Sequence, residues 1–444
     1  MLFKNININF PFVKSKIIDN GLKLIFAEHH EQEGVVIAFQ LPFGNFNEPI
    51  DFEGITSVIV NTILKGPAGM TCEEFAEKIE SCGGTLFTDI GNENCIIGCK
   101  FLSRSLDVII PLFWEMIINP ALHPKEIERI KKEIQTSIQS ELVDPYAIAN
   151  KHFGNVLCGK DHPAGKFETI KSISRINHNN VKEYYNKYFC PLGSVLMFCG
   201  DFDSEKILIN YEKIFSKWNK KIDGNIVIAP PIKNLSENKI RLIDKSDLTQ
   251  ASIVIGHPTC SELDTMKCDV LIANYILGGG NFSSRLMENI RSKEGKTYTI
   301  ASLVSFEKKF GIFSISTSTI NQKVKDMLEN IFNIYKTFGE KGITKEELEN
   351  AKKYLLGNIT FQFEGIVNIA EKILWLEQFS RKFEYFEEFI LEIKNTTVKK
   401  VNEAIKKYFY SKYFAMAVAG KKDEILPILK YYGDVEVINY KKIL

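Results

Sequence analysis

The chain repeats itself, and this restricts its fold more than any other feature. EKIESCGGTLFTDI (77–90) aligns with ENIRSKEGKTYTIA (288–301) at an offset of 211, with five of the fourteen positions identical. EIERIKKEI (126–134) aligns with ELENAKKYL (347–355) at 221, and Tyr188-Phe189 followed by Gly200 aligns with Tyr408-Phe409 followed by Gly420 at 220. Three matches in the same order at nearly constant spacing mark a duplicated unit of about 210–220 residues, since fixed-period self-similarity means repeated architecture. The 444 residues therefore divide into an N-terminal domain 1–222, a linker 223–238 and a C-terminal domain 239–444. Pro230-Pro231 with flanking Asn, Gly and Ser suits an extended connection.

Each half shows one coarse order of elements. Apolar strands open it (GLKLIFAEHH and VVIAFQLPFG, then KIRLIDKS and ASIVIGHP). Helices follow, then strand-rich stretches (TLFTDIGNENCIIGCKF; TYTIASLVSFEKKFGIFSISTS), Lys/Glu-rich helices and a closing strand (SVLMFCG; FAMAVAG). Strand runs mixed with several helices per unit predict an α+β fold of two homologous tandem domains, each a mostly antiparallel sheet covered by helices.

Composition narrows the functional classes. Lys+Arg 56 against Asp+Glu 55 leaves a net charge of +1, which gives no electrostatic reason to expect nucleic acid or an acidic membrane as partner. A hydrophobic fraction of 45% is ordinary for a globular chain and too high for extended disorder. MLFKNININFPFVKSKI has no apolar core of signal-peptide length, and no apolar run reaches membrane-spanning length, so the expectation is a cytoplasmic protein. Nine cysteines without CxxC spacing fit free thiols in a reducing compartment. Cys95 and Cys99 share a strand face, which allows a two-thiolate metal site, although small buried thiols are the commoner outcome. The histidines (His29, His30, His123, His152, His162, His178, His257) contain no helical i, i+4 pair and read as surface or satisfied side chains.

Two segments carry the chemistry. EGITSVIVNTILKGPAG (53–69) is a helix-length apolar run bracketed by Gly54 and Gly66. ILGGGNFSSRLMENIRSKEGKTYTIAS (276–302) places a triple glycine, Gly278, Gly279 and Gly280, before a helix that Ser283 or Ser284 can cap. Arg291 is expected in its last turn and Tyr298, seven residues on, early in the strand that follows, and a short helix–strand corner can bring two such side chains to one locus. The glycines lack the Lys-Ser/Thr ending of a phosphate loop. Ser283, Ser284 and Arg285 read as capping and packing residues.

Together these segments resemble the pitrilysin/insulinase metallopeptidases, in the mitochondrial-processing-peptidase-like branch with half-length subunits. In that family the first helix reads Gly-(Leu/Thr)-x-His-x-x-Glu-His and ends in Lys-Gly, with two His on one helix face as zinc ligands and the Glu as general base. The corresponding positions here are Ser57, Asn61 and, for the base, Val60. The third ligand, a Glu on a later helix, aligns with Ser137 in EIERIKKEIQTSIQSELVDP. The resemblance thus implies a degenerate metal site and no zinc in this chain. The second segment is similar to the family signature Gly-Gly-Gly…Ser-Ser-Arg-Leu…Val-Arg-x-x-x-Gly-x-x-Tyr. By that resemblance Arg291 and Tyr298 contact the scissile region and stabilise its oxyanion, and Gly278–Gly280 touch the peptide, with backbone flexibility at a helix start as the competing reading of the glycines. His162, in DHPAGKF, matches a structural His-Pro-x-Gly loop. The implied function is the non-catalytic, substrate-binding subunit of a heterodimer whose zinc-bearing homologous partner completes the site for peptide hydrolysis. A structural core-type subunit and a homodimeric peptide-binding chamber without catalysis are the alternatives.

Overall fold

The computed structural model describes residues 10–221, 225–289, 299–409 and 412–443. Its strands form two six-stranded sheets. The first contains β1 (Val13–Ile17), β2 (Lys23–Glu28), β3 (Gly34–Leu41), β4 (Thr85–Ile90), β5 (Cys95–Leu102) and β6 (Val195–Gly200), in the order β1-β2-β6-β3-β5-β4. The second contains β7 (Lys239–Asp244), β8 (Gln250–Thr259), β9 (Ile300–Phe306), β10 (Gly311–Ile320), β11 (Ala415–Gly420) and β12 (Val435–Asn439), in the order β12-β7-β11-β8-β10-β9. Pairing is mostly antiparallel, the exceptions being β2–β6, β7–β11 and β7–β12. The α+β, two-domain expectation is met.

Helices cover the sheets. Along the chain they are α1 (Ile55–Ile63), α2 (Cys72–Ser81), α3 (Leu106–Ile118), α4 (Pro124–Glu141), α5 (Pro145–Cys158), α6 (Ile170–Arg175), α7 (His178–Tyr188) and α8 (Ser204–Ser216). Then follow α9 (Lys267–Asn274), α10 (Val324–Lys341), α11 (Lys345–Ile359), α12 (Gly365–Gln378), α13 (Tyr385–Asn395), α14 (Val398–Tyr408) and α15 (Lys422–Leu429). No helix among the described residues is long and apolar enough to cross a membrane.

The sheet registers test the repeat residue by residue. Phe39 pairs with Leu196 and Ile97, and Ile255 pairs with Met416 and Ile315. The strands from β3 to β8, β6 to β11 and β5 to β10 therefore superpose at offsets of 216, 220 and 218. At the free edges Phe87 pairs with Gly98 and Ala301 with Ser316, so β4 and β9 correspond at 214, three more than the sequence match at 211. The sixth strand breaks the symmetry. β1 precedes β2 and joins it antiparallel, whereas β12 comes from the other end of the chain and joins β7 parallel.

The two compact units follow packing, and they differ from the duplicated halves in two segments. One unit comprises 1–137, 168–227 and 359–383, and the other 138–167, 228–358 and 384–444. Within the first, Ile366, Ile369, Ala370, Ile373 and Leu374 of α12 lie over Ile25, Ala27, Val36, Ala38, Met197 and Cys199. Within the second, Ile148, Ala149, Phe153, Val156 and Leu157 of α5 lie over Ile243, Val254, Ala415, Ala417 and Ala419. α5 and α12 start 220 residues apart, so they are the same element of the repeat, and each covers the sheet built from the other half's strands. Small residues on β11 and β8 allow this close approach: a Cβ on Gly256 of β8 would meet the Phe153 ring at 2.9 Å and the Phe313 carbonyl at 1.9 Å.

Candidate functional site

α1 is positioned from below by its apolar face. Ile55, Val58, Ile59, Val60 and Ile63 are all 0–2% exposed. Gly54 precedes the helix at φ +94°, and a Cβ there would strike the Ile173 side chain at 2.3 Å. Thr56 on the helix shares a hydrogen bond with the Tyr184 hydroxyl of α7 at 3.1 Å. The helix start is gripped by Glu48, whose two carboxylate oxygens accept the backbone N–H of Gly54 (2.8 Å) and of Thr56 (3.0 Å). A carboxylate there satisfies orphan donors and faces the positive end of the helix dipole. Burial nevertheless pushes the Glu48 carboxyl up to about 7, against the lowering effect of those two bonds. Nothing in the sequence singles out Glu48, because Asp51 and Glu53 lie between it and the same glycine-led helix.

The predicted degenerate positions lie where that helix puts them. Ser57 and Asn61 are half-buried, one turn apart, and Asn61 Nδ2 donates to the Ser57 carbonyl at 2.8 Å. Val60 is fully buried among the core residues of α1. Ser137, on α4, is exposed. Zinc selects thiolate, imidazole and carboxylate, and two hydroxyls, a carboxamide already bonded along its helix and an isopropyl group do not fit it. Val60 has no atom that could take a proton.

No other donor set among the described residues replaces them, for no group of three His, Cys, Asp or Glu is arranged to hold a metal ion. Cys95 and Cys99 are buried in β5, and burial pushes both thiols up, Cys99 to about 12, so they stay protonated core groups. His162 is structural: its Nδ1 accepts the Ala164 N–H at 3.1 Å and its other ring nitrogen donates to the Pro230 carbonyl at 2.9 Å.

In the second signature, α9 runs into a π-helical turn, Tyr275–Gly279. The three glycines all have ordinary negative φ and are needed for space. A Cβ on Gly278 would meet Ser302 Oγ at 2.6 Å, on Gly279 the Asn274 Nδ2 at 2.8 Å, and on Gly280 the Tyr275 carbonyl at 2.8 Å. Gly278 and Gly280 are buried and Gly279 is exposed. Arg285 is a packing residue, as expected. Its Nε and one Nη bond both oxygens of Glu347 (2.6 and 2.8 Å), and that Nη also donates to the Gly342 carbonyl at 2.7 Å. Arg291 and Tyr298 lie outside the described residues.

Fold and site define a protease-like protein of the non-catalytic type, built on a peptidase frame whose zinc helix carries no zinc ligands. Residues 24–152 match the model of the insulinase family (peptidase family M16), and residues 175–355 match the M16 inactive domain. The chain belongs to the insulinase/pitrilysin-like M16 family. It is 26% identical over 367 residues to an uncharacterized zinc protease of Rickettsia bellii, covering 82% of this chain and 86% of that one. It is 23% identical over 376 residues to the non-peptidase homolog YmxG of Helicobacter pylori, covering 83% and 85%. Its fold resembles the crystal structure of a peptidase M16 inactive domain from Pseudomonas fluorescens, with TM-score 0.82 and 21% identity over 92% of this chain and 98% of that one.

Proposed function

We propose that this chain is the substrate-binding subunit of a heterodimeric zinc metallopeptidase, with the metal held by a homologous partner. The observation that carries the reading is α1, which keeps the shape of a zinc helix while presenting Ser57, buried Val60 and a self-satisfied Asn61 at the ligand and base positions. The second signature is intact in sequence. Arg291 and Tyr298 supply N–H and O–H donors to the carbonyl of a bound peptide, which favours the charge developing on that oxygen. Gly279, exposed between two buried glycines, offers backbone to the peptide. Metal chemistry belongs to the partner, and this chain orients the peptide and stabilises its oxyanion.

The purified chain alone is expected to show no chelator-sensitive peptidase activity; such activity would sink the proposal. Mixed with a zinc-bearing homologue, Arg291→Ala and Tyr298→Phe are each expected to lower kcat by about 100–1,000-fold, the usual effect of removing one oxyanion donor. Unchanged turnover in both variants would remove their role.

A further inference from the structure

The internal repeat supplies a control for one position in the second unit. In the first unit the space between β3 and α3 is filled by aromatic rings. Phe39 meets Trp114 edge-on at 6.3 Å and Trp218 at 5.8 Å, and Trp114 packs edge-on against Trp218 at 5.5 Å. The strand registers place Ile255 at the position of Phe39, and His257 at that of Leu41. α3 and α10 each follow a three-residue 3-10 turn, Ser103–Ser105 and Asn321–Lys323, at an offset of 218. Phe332 therefore stands for Trp114 and Tyr335 for Ile117. Two large rings have become smaller side chains, and two buried aliphatic groups have become a polar pair.

A half-open cavity of about 520 Å³ occupies this place in the second unit. Ile255, Phe313, Ile315, Ile331, Phe332 and Phe414 line it, and its volume lies within the roughly 300–1,000 Å³ of small-ligand sites. His257 and Tyr335 are its polar floor. His257 Nδ1 lies 2.9 Å from the Pro258 carbonyl, which can only accept, so Nδ1 carries the proton and Nε2 accepts from the Tyr335 hydroxyl at 2.5 Å. Burial lowers His257 to about 4, consistent with a neutral ring. The floor thus has no donor left for a carboxylate. The charge is at the exposed side of the lining, on Lys336 and Lys412. Lys336 has a loose ion pair to Glu340 at 3.9 Å, and the Lys412 ammonium lies 5.0 Å from the Tyr413 ring centroid.

We propose that this cavity binds an amphiphilic monocarboxylate of the fatty-acid type, with its hydrocarbon tail against Ile255, Phe313 and Ile331 and its carboxylate between Lys336 and Lys412. Charge complementarity at the mouth selects an anion, and the apolar walls select a tail without polar atoms. The Ile255, Phe313, Ile331 and Phe332 side chains offer no acceptor to the amide N–H groups of a peptide chain, and unsatisfied buried donors are strongly penalised.

Calorimetry on the full chain with decanoate, dodecanoate and dodecyltrimethylammonium tests this. One site per chain is expected for the carboxylates, with affinity rising about fourfold per added methylene until the cavity is full. Absence of carboxylate binding, or equal binding of the cationic amphiphile, would overturn the proposal. Ile255→Phe with Phe332→Trp restores the rings of the first unit and is expected to abolish binding. Should that variant not fold, Lys336→Glu with Lys412→Glu changes exposed residues only and is expected to weaken carboxylates roughly tenfold. Wild-type affinity in a folded variant of either kind would refute the site. Tighter binding of an apolar peptide with a free C-terminus than of dodecanoate would refute the ligand class.

Discussion

The Asn61 side chain donates to the main-chain carbonyl of Ser57, 2.8 Å away on the same face of α1. Two positions that hold imidazoles in a zinc helix are thus coupled to each other through the backbone, with Val60 buried beside them. The frame was kept while the chemistry was removed.

Val60→Glu measures how far that removal has been fixed by packing. Val60 is 0% exposed, so a carboxylate there is buried without a partner. We expect a loss of at least ~2 kcal/mol in stability, seen as a lower Tm. A Tm equal to wild type would show that the position still tolerates the base.

Glu48 should make stability depend on pH. Its folded value of about 7 lies above its ordinary 4.5, so the folded state binds more protons across that interval. The stabilisation is complete below pH 4.5 and is lost as pH rises through 7, amounting to at most about 3 kcal/mol. Glu48→Gln is expected to flatten denaturant midpoints between pH 4.5 and 8 relative to wild type. Parallel profiles would exclude Glu48 as the source.

Arg285 separates structure from function within the second signature. Its paired bonds to Glu347 are part-buried, and charge-assisted bidentate bonds are among the stronger ones. Arg285→Ala is expected to cost about 1.5–3 kcal/mol, while the turnover of the folded fraction in a reconstituted complex stays the same. A selective loss of turnover without loss of Tm would assign Arg285 to the substrate.

The exchanged helices predict that the halves do not fold alone. Residues 1–222 lack α12 and leave Ile25, Val36 and Met197 uncovered, while α5 loses Val254 and Ala417. Expressed separately, each half should lack a cooperative thermal transition, and mixing them should restore it. In the intact chain Phe153→Ala is expected to cost about 3–5 kcal/mol. A cooperative melt of either half by itself would contradict the packing.

The duplication, the coarse order of strands and helices and the packing role of Arg285 are legible in the sequence, and the resemblance to the family signatures implies the disabled α1 and the structural His162. Each of these rests on local periodicity, spacing or a motif, and a repeated pattern folds the same way twice. Which sheet α5 and α12 cover is set by long-range packing, because an apolar helix face specifies burial and not the surface that buries it. The same holds for the edge strands β1 and β12, whose pairing direction depends on where the chain ends are brought. Glu48 gripping α1 and the His257–Tyr335 pair were likewise invisible in sequence. Their partners are 6 and 78 residues away, and the cavity above the pair lies where Ile255 and Phe332, on separate elements, are smaller than their first-unit counterparts Phe39 and Trp114.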